Sequence, residues 1–435
     1  MGKPGALARK MPGSLPMRAR ASIIGATPLL VAVFLLSASC AKVQPHFTVP
    51  KMTVSDPSFV PTMEAYTAAT VSRGNRVDFL LNGQKIFPAQ LAAIRSAQRT
   101  ITYAQYFYED GKPAVRLVEA ISERCRAGVR GHVLLDAFGS LKMPPELRQQ
   151  LQDAGCEVAT FRPLRPWALD EANNRNHRRI LVVDGKVGFT GGSGASSKWM
   201  GNGRREGQWR ETDARMEGPA VNDLQGAFAE NWLEATGHVL GGDGYFAPQP
   251  ARGTVRAQVV RSSPTNGSFA VYTMYLLAMS SARRNIYMTN PYFLPDEQMR
   301  KALVEARRRG VRVVLLLPGA IDNNIVRQAS RGGFGELLDA GIEIHEYRSG
   351  LLHAKTMAVD GLWATVGSTN VDNRSFALND ELNLALYDAE TAAGLEKIFV
   401  DDLQHSRPVD PAVWRARGPM TRMLELLAMP FKPQL

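Results

Sequence analysis

The pattern of apolar and polar positions predicts the same series of helices and strands twice along the chain. Apolar residues at helical spacing predict helices, and short apolar runs predict buried strands. In the first half the predicted helices cover 88–97, 114–126 and 144–154, and the predicted strands cover 100–108, 129–135 and 156–161. In the second half the predicted helices cover 269–281, 295–309 and 334–340, and the predicted strands cover 285–289, 311–317 and 342–347. Each series is followed by a predicted hairpin, over 180–190 and 353–366, which turns at an Asp-Gly pair.

This repetition predicts the fold class. The chain has 435 residues, which is long for one domain and sufficient for two. Strands that alternate with helices indicate an α/β protein. We therefore predict two similar α/β/α sandwich domains related by pseudo-twofold symmetry, with the active site at their interface. The predicted domains cover 76–245 and 246–435, and the polar stretch over 40–75 is predicted to be a tether in front of them.

Each half carries the same arrangement of histidine, cation and aspartate at its predicted hairpin. In both copies the cation stands two residues after the histidine, and the aspartate stands seven residues after it. The copies are His177, Arg179 and Asp184 in the first half, and His353, Lys355 and Asp360 in the second. Residues i and i+2 of a strand point the same way, so each histidine shares a face with its cation. Two such copies predict two histidines that meet at one phosphate.

Phosphate chemistry explains why these residue types belong together. A cation neutralises phosphate oxygens, and a neutral imidazole can attack phosphorus. A second histidine can protonate the leaving alkoxide, and each ring needs an acceptor on its other nitrogen to fix its tautomer. Glycine-rich segments follow both hairpins, and their polar side chains Ser193, Ser368 and Asn370 are predicted to donate hydrogen bonds to the phosphate.

These motifs resemble the phospholipase D superfamily, whose signature is His-x-Lys-x-x-x-x-Asp followed by Gly-Ser or Gly-Gly and Asn. The second copy matches the signature completely, and the resemblance extends from about residue 79 to 410. Residues 82–88, 136–140, 176–178 and 217–221 are similar to bacterial cardiolipin synthases in particular. The resemblance implies a two-step transfer through a phosphohistidine, with neither a metal nor another cofactor. It implies that His177 is the nucleophile and that His353 is the acid and then the base.

The resemblance also implies a glutamate that orients a histidine from downstream in the chain. Glu381 stands at such a position, and alignment of the two halves places Glu211 opposite it. Both glutamates are therefore candidate site residues. Asp184 and Asp360 are expected either to orient the histidines or to brace the loops.

The first copy departs from the family signature at two positions. Arg179 stands in place of lysine, and Gly194 stands in place of asparagine. Arginine keeps the positive charge, but its planar head group has a different geometry. Two interpretations stay open: the site is active with altered phosphate binding, or the first half has decayed.

The N-terminal residues predict export. The formal net charge is +11, but the first 39 residues hold five basic residues and no acid, so the remainder carries +6. An apolar run over 23–36 and three small residues then precede Cys40. This order predicts a lipoprotein-like signal over 1–39, with lipidation of Cys40 and attachment to the bacterial cell envelope. An ordinary signal peptide and an uncleaved anchor are the alternatives.

The two other cysteines, Cys125 and Cys156, can pair in an oxidising compartment. The sequence leaves open whether they form a disulfide or stay buried thiols, because a bridge requires Cα atoms within about 7 Å.

We expect a phosphatidyltransferase that makes cardiolipin from phosphatidylglycerol or a related donor. The expected partners are phospholipids, including phosphatidylethanolamine as a second candidate, and a membrane surface; nucleic acid is not favoured. One alternative is a hydrolase that acts on lipid or nucleic acid and uses water as the acceptor. Another is a non-catalytic protein that binds anionic lipid.

Overall fold

The computed structural model describes residues 48–164, 173–264, 267–320 and 322–429. The predicted signal, Cys40 and the first residues of the predicted tether lie outside these ranges. Residues Ala41–Leu435 group as one compact unit, so both predicted domains belong to it. Within the described ranges, no helix has the length and the apolar character needed to cross a membrane.

The first half begins with a helix and then follows the predicted alternation. Its elements are α1 (Phe59–Thr67), β1 (Ser72–Leu81), α2 (Gly83–Ser96), β2 (Thr100–Gln105), α3 (Lys112–Arg126), β3 (Arg130–Asp136), α4 (Pro145–Asp153), β4 (Glu157–Phe161), β5 (Ile180–Val183), β6 (Val187–Thr190), β7 (Trp209–Arg210), β8 (Thr212–Glu217) and α5 (Ala220–Thr236).

The second half repeats this order and adds elements at its C-terminal end. Its elements are β9 (Val255–Ser262), α6 (Ala270–Ser281), β10 (Asn285–Thr289), α7 (Glu297–Arg308), β11 (Arg312–Pro318), α8 (Asn324–Gly332), α9 (Phe334–Asp339), β12 (Glu343–Tyr347), β13 (Leu351–Leu352), β14 (Thr356–Val359), β15 (Trp363–Gly367), α10 (Asn373–Ala377), β16 (Glu381–Leu386), α11 (Ala389–Leu403), β17 (Ser406–Pro408), α12 (Pro411–Arg415) and α13 (Pro419–Ala428).

The described strands form one continuous 15-stranded sheet and a separate pair made by β7 and β13. The order of the large sheet is β17-β12-β11-β10-β14-β15-β16-β9-β1-β8-β6-β5-β2-β3-β4. The antiparallel neighbours β1 and β9 lie at its centre. Outward from them, β8-β6-β5-β2-β3-β4 repeats β16-β15-β14-β10-β11-β12. This order confirms the predicted α/β class and its pseudo-twofold relation.

Helices cover both faces of the sheet because side chains alternate along each strand. On β5, Leu181 and Val183 pack into the cluster that includes Leu117 of α3, whereas Ile180 and Val182 pack with Phe228 of α5 on the other face. Within each half, three neighbouring strands are parallel: β2, β3 and β4 in the first half, and β10, β11 and β12 in the second. Their carboxyl ends therefore lie at the same edge of the sheet in that half.

The prediction of a tether over 40–75 is wrong for its described C-terminal part. Helix α1 packs on α6, and Phe59 and Met63 are buried in the core of the second half. Phe59 and Met63 are four residues apart, which is helical spacing. The tether was predicted from the polar composition of the stretch as a whole.

Cys125 and Cys156 form a disulfide, with Cα atoms 5.6 Å apart. It connects the end of α3 to the residue before β4. Of the two alternatives that the sequence left open, the structure therefore shows a disulfide and not two buried thiols.

Candidate active site

The two motif histidines lie just before strands β5 and β14, where the two halves meet. The backbone N–H of His177 donates to the carbonyl of Asp380 at 2.9 Å, and that of His353 donates to the carbonyl of Arg210 at 2.8 Å. The histidines were predicted to lie on strands of their own hairpins. Instead, short backbone pairings with the opposite half hold them, through β7 with β13 and through the bridge between Asn176 and Asp380.

Each histidine pairs with a glutamate from the other half. The Nδ1 atom of His177 lies 2.8 Å from Oε1 of Glu381, and Nδ1 of His353 lies 2.6 Å from Oε2 of Glu211. All four side chains are buried. A carboxylate beside Nδ1 accepts a hydrogen bond from the N–H of that nitrogen, so in the neutral ring the lone pair resides on Nε2. The two crossed pairs make a single site that neither half can build alone.

Two cations lie beside the two rings. The Nζ atom of Lys355 donates to the carbonyl of His353 at 2.6 Å and lies 2.9 and 3.1 Å from its ring nitrogens. In the same way, Arg179 donates through Nη1 to the carbonyl of His177. The Nε atom of Arg179 is buried without a hydrogen-bond partner among the described residues. Such an unpaired donor in a buried site is suited to an anionic ligand.

Burial and positive charge keep both histidines neutral. Burial lowers the pKa of His353 to about 4, and the charge of Lys355 adds to this effect. Burial, followed by the charges of Arg179 and Lys355, holds the pKa of His177 well below its usual value of 6.5. A neutral imidazole is the form that can attack phosphorus.

The other charged groups of the site titrate differently. Burial lowers the pKa of Lys355 to about 7. Burial raises the pKa of Glu381 to about 7, against the opposing effect of the hydrogen bond from Ser368. Burial alone would raise the pKa of Glu211, but Lys355 and His353 lower it to about 2. Glu211 therefore stays ionised, whereas Lys355 and Glu381 change charge close to neutral pH.

The polar side chains predicted to bind phosphate have different surroundings. The hydroxyl of Ser368 donates to Oε2 of Glu381 at 2.5 Å, and that of Ser193 donates to Asp213 at 2.5 Å. These two hydroxyls support carboxylates, in contrast to the predicted role. Asn370 is buried in the same segment as Ser368, and its predicted contact with phosphate stays a prediction.

Asp184 and Asp360 lie at the far ends of β5 and β14 from the histidines. Asp184 accepts hydrogen bonds from the backbone N–H groups of residues 98–100, and Asp360 accepts them from those of residues 283–285. Both adopt positive φ angles, of 53° and 56°, in the hairpin turns. Of the two expected alternatives, this geometry corresponds to bracing of the loops, and it places neither carboxylate beside a histidine ring.

The two halves of the site differ around the glutamates. Gly192 takes the position of Ser368, and a Cβ atom there would lie 2.7 Å from Oε2 of Glu211. The indole Nε1 of Trp199 donates to Glu211 instead, at 3.2 Å. A Cβ atom on Gly194 would lie 2.7 Å from the Trp199 ring. Gly194, which departs from the family signature, therefore leaves room for this tryptophan, and Gly192 leaves room for the carboxylate of Glu211.

Trp199→Phe is expected to lower kcat/KM by roughly ten- to a hundredfold, because a hydrogen bond to a charged acceptor is worth about 1.5–3 kcal/mol. Steady-state kinetics of the parent protein and the variant measures this loss. Trp209→Phe is the matched control, since Trp209 packs on His353 with ring centroids 4.9 Å apart. Equal losses in both variants would show that aromatic packing, and not the bond to Glu211, explains the effect.

Several supporting residues were missed or only partly interpreted from the sequence. Arg178 is fully buried and donates to the carbonyl of Glu381 at 3.2 Å and to that of Ser262 at 3.0 Å, which joins it to the second half. Asp136 accepts from the backbone N–H of Asn176 at 3.0 Å, directly before His177. Tyr106 packs edge-on against His177, with centroids 4.8 Å apart. Asp136 is the last residue of β3, and Tyr106 directly follows β2. These positions at strand ends were the signal in the sequence that could have identified the two residues.

Comparison with known proteins identifies this arrangement. A family model described as cardiolipin synthase, PLD-like domain, matches residues 91–232 and 275–403. The chain is 35% identical over 368 residues to the cardiolipin synthase of Geobacillus kaustophilus, covering 84% of this chain and 73% of that protein. It is 34% identical over 363 residues to a probable cardiolipin synthase of Bacillus subtilis, covering 83% and 72%.

A solved structure shows the same fold. The phosphatidylserine synthase of Haemophilus influenzae matches with a TM-score of 0.62 at 12% identity, covering 86% of this chain and 97% of that one. Two repeated domains with paired histidines at their junction define an enzyme of the phospholipase D superfamily. Within that superfamily, this chain belongs to the cardiolipin synthase family. It is a phosphatidyltransferase that acts on phospholipids, and the resemblance seen in its motifs is confirmed.

Proposed function

We propose that this enzyme joins two molecules of phosphatidylglycerol into cardiolipin and releases glycerol. The observation that carries the proposal is the pair of crossed His–Glu contacts, which presents two imidazole Nε2 atoms beside two buried cations. One ring can attack phosphorus while the other transfers the proton.

In the first step, Nε2 of His177 attacks the phosphorus of the donor lipid. The bond between phosphorus and the glycerol oxygen breaks, and His353 gives its Nε2 proton to that oxygen. Glycerol leaves, and the phosphatidyl group stays on His177. Glu381 stabilises the positive charge that develops on the His177 ring, because its carboxylate contacts Nδ1.

In the second step, a hydroxyl of the second phosphatidylglycerol attacks phosphorus. His353, now neutral, takes the proton of this hydroxyl, and the bond between phosphorus and His177 breaks. Both histidines return to their starting states, so no proton is gained or lost over the cycle. Arg179 and Lys355 neutralise the phosphate oxygens in both steps, with Asn370 as a further candidate contact.

Substrate binding supplies the charge that makes His353 an acid. The low pKa of its free form arises from burial and from Lys355. An anionic phosphodiester beside the ring offsets the positive charges, which raises the pKa of His353 and allows it to hold a proton. Substrate and proton are therefore expected to enter the site together.

The pH dependence of kcat/KM is expected to show a maximum between about pH 4 and 7 and a steep fall above pH 7, because the free His353 ring, with its pKa of about 4, must gain a proton when substrate binds. As the pH falls through about 7, Glu381 gains a proton and the charge that supports His177 is lost. As the pH rises through about 7, Lys355 loses the charge that binds phosphate. Lys355→Arg should extend the alkaline limb, since the other half already holds an arginine here. A flat profile from about pH 5 to 9 would contradict these assignments.

Lipid mass spectrometry tests the function directly. The full-length protein is incubated with phosphatidylglycerol vesicles, with and without phosphatidylethanolamine, beside His177→Ala and His353→Ala variants. We expect cardiolipin only where both histidines are present. Phosphatidic acid as the sole product would make the enzyme a hydrolase, and vesicle binding without any product would leave a lipid-binding protein.

We further infer that the enzyme works in the bacterial cell envelope, attached through lipidated Cys40. The disulfide between Cys125 and Cys156 supports this, because structural disulfides persist mainly in oxidising compartments. The mass of the mature protein tests the attachment: a diacylated N-terminus at Cys40 is expected, and Cys40→Ser should abolish it. An unmodified Cys40 within an uncleaved chain would contradict it.

A further inference from the structure

The C-terminal helix α13 exposes an unusual amount of apolar surface. Five of its ten residues are large, apolar and exposed: Met420, Met423, Leu424, Leu426 and Leu427. The exposed fractions of Leu426 and Leu427 are 71% and 61%. Contiguous apolar surface of this kind on a helix indicates a partner rather than water.

The remaining face of α13 is firmly attached to the protein. Ala428 packs with Leu294 and Val326, and the buried Glu425 pairs with Arg417 at 2.8 Å. The helix therefore has one narrow packed side, and its apolar side points away from the core.

Helix α13 borders the edge of the sheet that carries the active site. The backbone N–H of Leu294 donates to the carbonyl of Val371 at 2.7 Å. Val371 directly follows Asn370 in the segment that also holds Ser368, which contacts Glu381. Leu294 thus connects Ala428 of α13 to the segment over 368–371, which borders the active site.

The first half presents a smaller apolar surface at the equivalent edge. Phe138 and Leu141, in the loop after β3, are 57% and 64% exposed. Asp136 accepts hydrogen bonds from the N–H of Phe138 at 2.9 Å and from that of Asn176, next to His177, at 3.0 Å. In the second half, α8 follows the equivalent strand β11, and α13 packs on α8. Apolar surface therefore flanks the site in both halves.

Charge favours an anionic partner at this edge. Within 411–429, the exposed charged residues are Arg415 and Arg422, both basic, and Arg415 pairs with Asp339 at 2.5 Å. Lys142 stands beside Leu141, is exposed and lies 3.3 Å from Glu109. A helix with an apolar face and flanking basic residues is suited to the interface of an anionic bilayer.

We propose that the exposed face of α13, together with Phe138 and Leu141, docks on a phospholipid bilayer and brings the two-histidine site to the lipid head groups. The inference rests on the proposed function, because it assumes that the substrate resides in a membrane. A second copy of the chain is a poorer occupant, since the apolar residues lie on two separate elements on either side of a lipid-processing site.

The test compares substrates in two physical states. Full-length protein is assayed on phosphatidylglycerol vesicles and on short-chain phosphatidylglycerol kept monomeric. We expect the double variant Leu424→Asp/Leu427→Asp to lose at least roughly tenfold on vesicles and less than about twofold on monomers, because only vesicle turnover requires interfacial binding. Val400→Asp, at an exposed position of α11, is the matched control and should change neither rate. Residues 1–47 are present in every variant, so differences report on the described surface.

Hydrogen–deuterium exchange of the full-length protein gives a second measure. Phosphatidylglycerol vesicles should protect the amides of 419–429 and 137–142. Equal loss on both substrates, or no protection by vesicles, would overturn the proposal. Protection that increases with protein concentration without vesicles would assign the surface to a second copy. Protection by vesicles without turnover on either substrate would leave the docking surface standing and reject the proposed function.

Discussion

His177→Ala is expected to lower turnover of phosphatidylglycerol by about four orders of magnitude or more, because the variant has no nucleophile to hold the phosphatidyl group. The partner Glu381 cannot substitute, since its carboxylate is held by Ser368 and lies behind the ring at Nδ1. Release of glycerol in a coupled assay measures the first step separately from the formation of cardiolipin. Both should be lost together.

His345→Ala is the matched control for this loss. His345 lies in β12 of the same half as His353, and its Nδ1 lies 3.3 Å from the hydroxyl of Ser406. Its replacement should leave turnover within about twofold, as expected for a position away from the site. Residual turnover above about one per cent in His177→Ala, in protein that keeps its thermal stability, would reject covalent catalysis by this residue.

Lys355→Met is expected to lower kcat/KM by roughly a thousandfold. Methionine keeps much of the length of the side chain but removes the charge that faces the phosphate, and loss of one such electrostatic contact costs about two to three orders of magnitude. The same change relieves the positive charge beside His353, so the pKa of that ring should rise. Kinetics on vesicles and nuclear magnetic resonance titration of His353 measure these two effects.

Arg179 is the counterpart of Lys355 in the first half, and its substitution provides a comparison with Lys355→Met. Arg179→Lys keeps the charge and restores the residue of the family signature, so we expect turnover within about tenfold of the parent enzyme. Arg179→Met should resemble Lys355→Met. If the parent protein is inert and neither change affects it, the first half has decayed and the chain binds lipid without catalysis.

Much of the fold followed from the sequence because the hydrophobic pattern repeats. The Asp-Gly turns and the strands β2, β3, β10 and β11 are local features, and a local pattern was sufficient to predict them. The central strands β1 and β9 were not predicted. Their pairing joins residues far apart in the chain, such as Ser72 and Ala257, and no local pattern carries that information.

The composition of the site was also predictable, but its connections were not. The repeated motif predicted both histidines and both cations, the family resemblance predicted Glu381, and alignment of the two halves predicted Glu211. The crossed pairing of His177 with Glu381 and of His353 with Glu211 depends on how the halves meet. Trp199 could not be recognised as a donor to Glu211, because its replacement of a serine hydroxyl is visible only in three dimensions.

The motif aspartates show the limit of spacing as a guide to role. Each aspartate follows its histidine by seven residues, and this equal separation in the sequence suggested that the aspartates belong to the site. In the structure, Asp184 and Asp360 lie at the ends of β5 and β14 that are farthest from the histidines. A strand of four residues separates the two ends by about 13 Å, at roughly 3.3 Å per residue. The spacing therefore reflects the length of the hairpin, and the backbone N–H groups of the preceding loop explain the need for an acid.

Trapping the covalent intermediate tests the central claim most directly. Full-length His353→Ala is mixed with a phosphatidyl donor whose leaving group is p-nitrophenol, which needs no protonation to depart, so the first step proceeds and the second is slow. The reaction is stopped at alkaline pH, digested and analysed by mass spectrometry. We predict a phosphatidyl group on His177. Turnover of the donor with no modified histidine, or a modification elsewhere in the chain, would contradict the account.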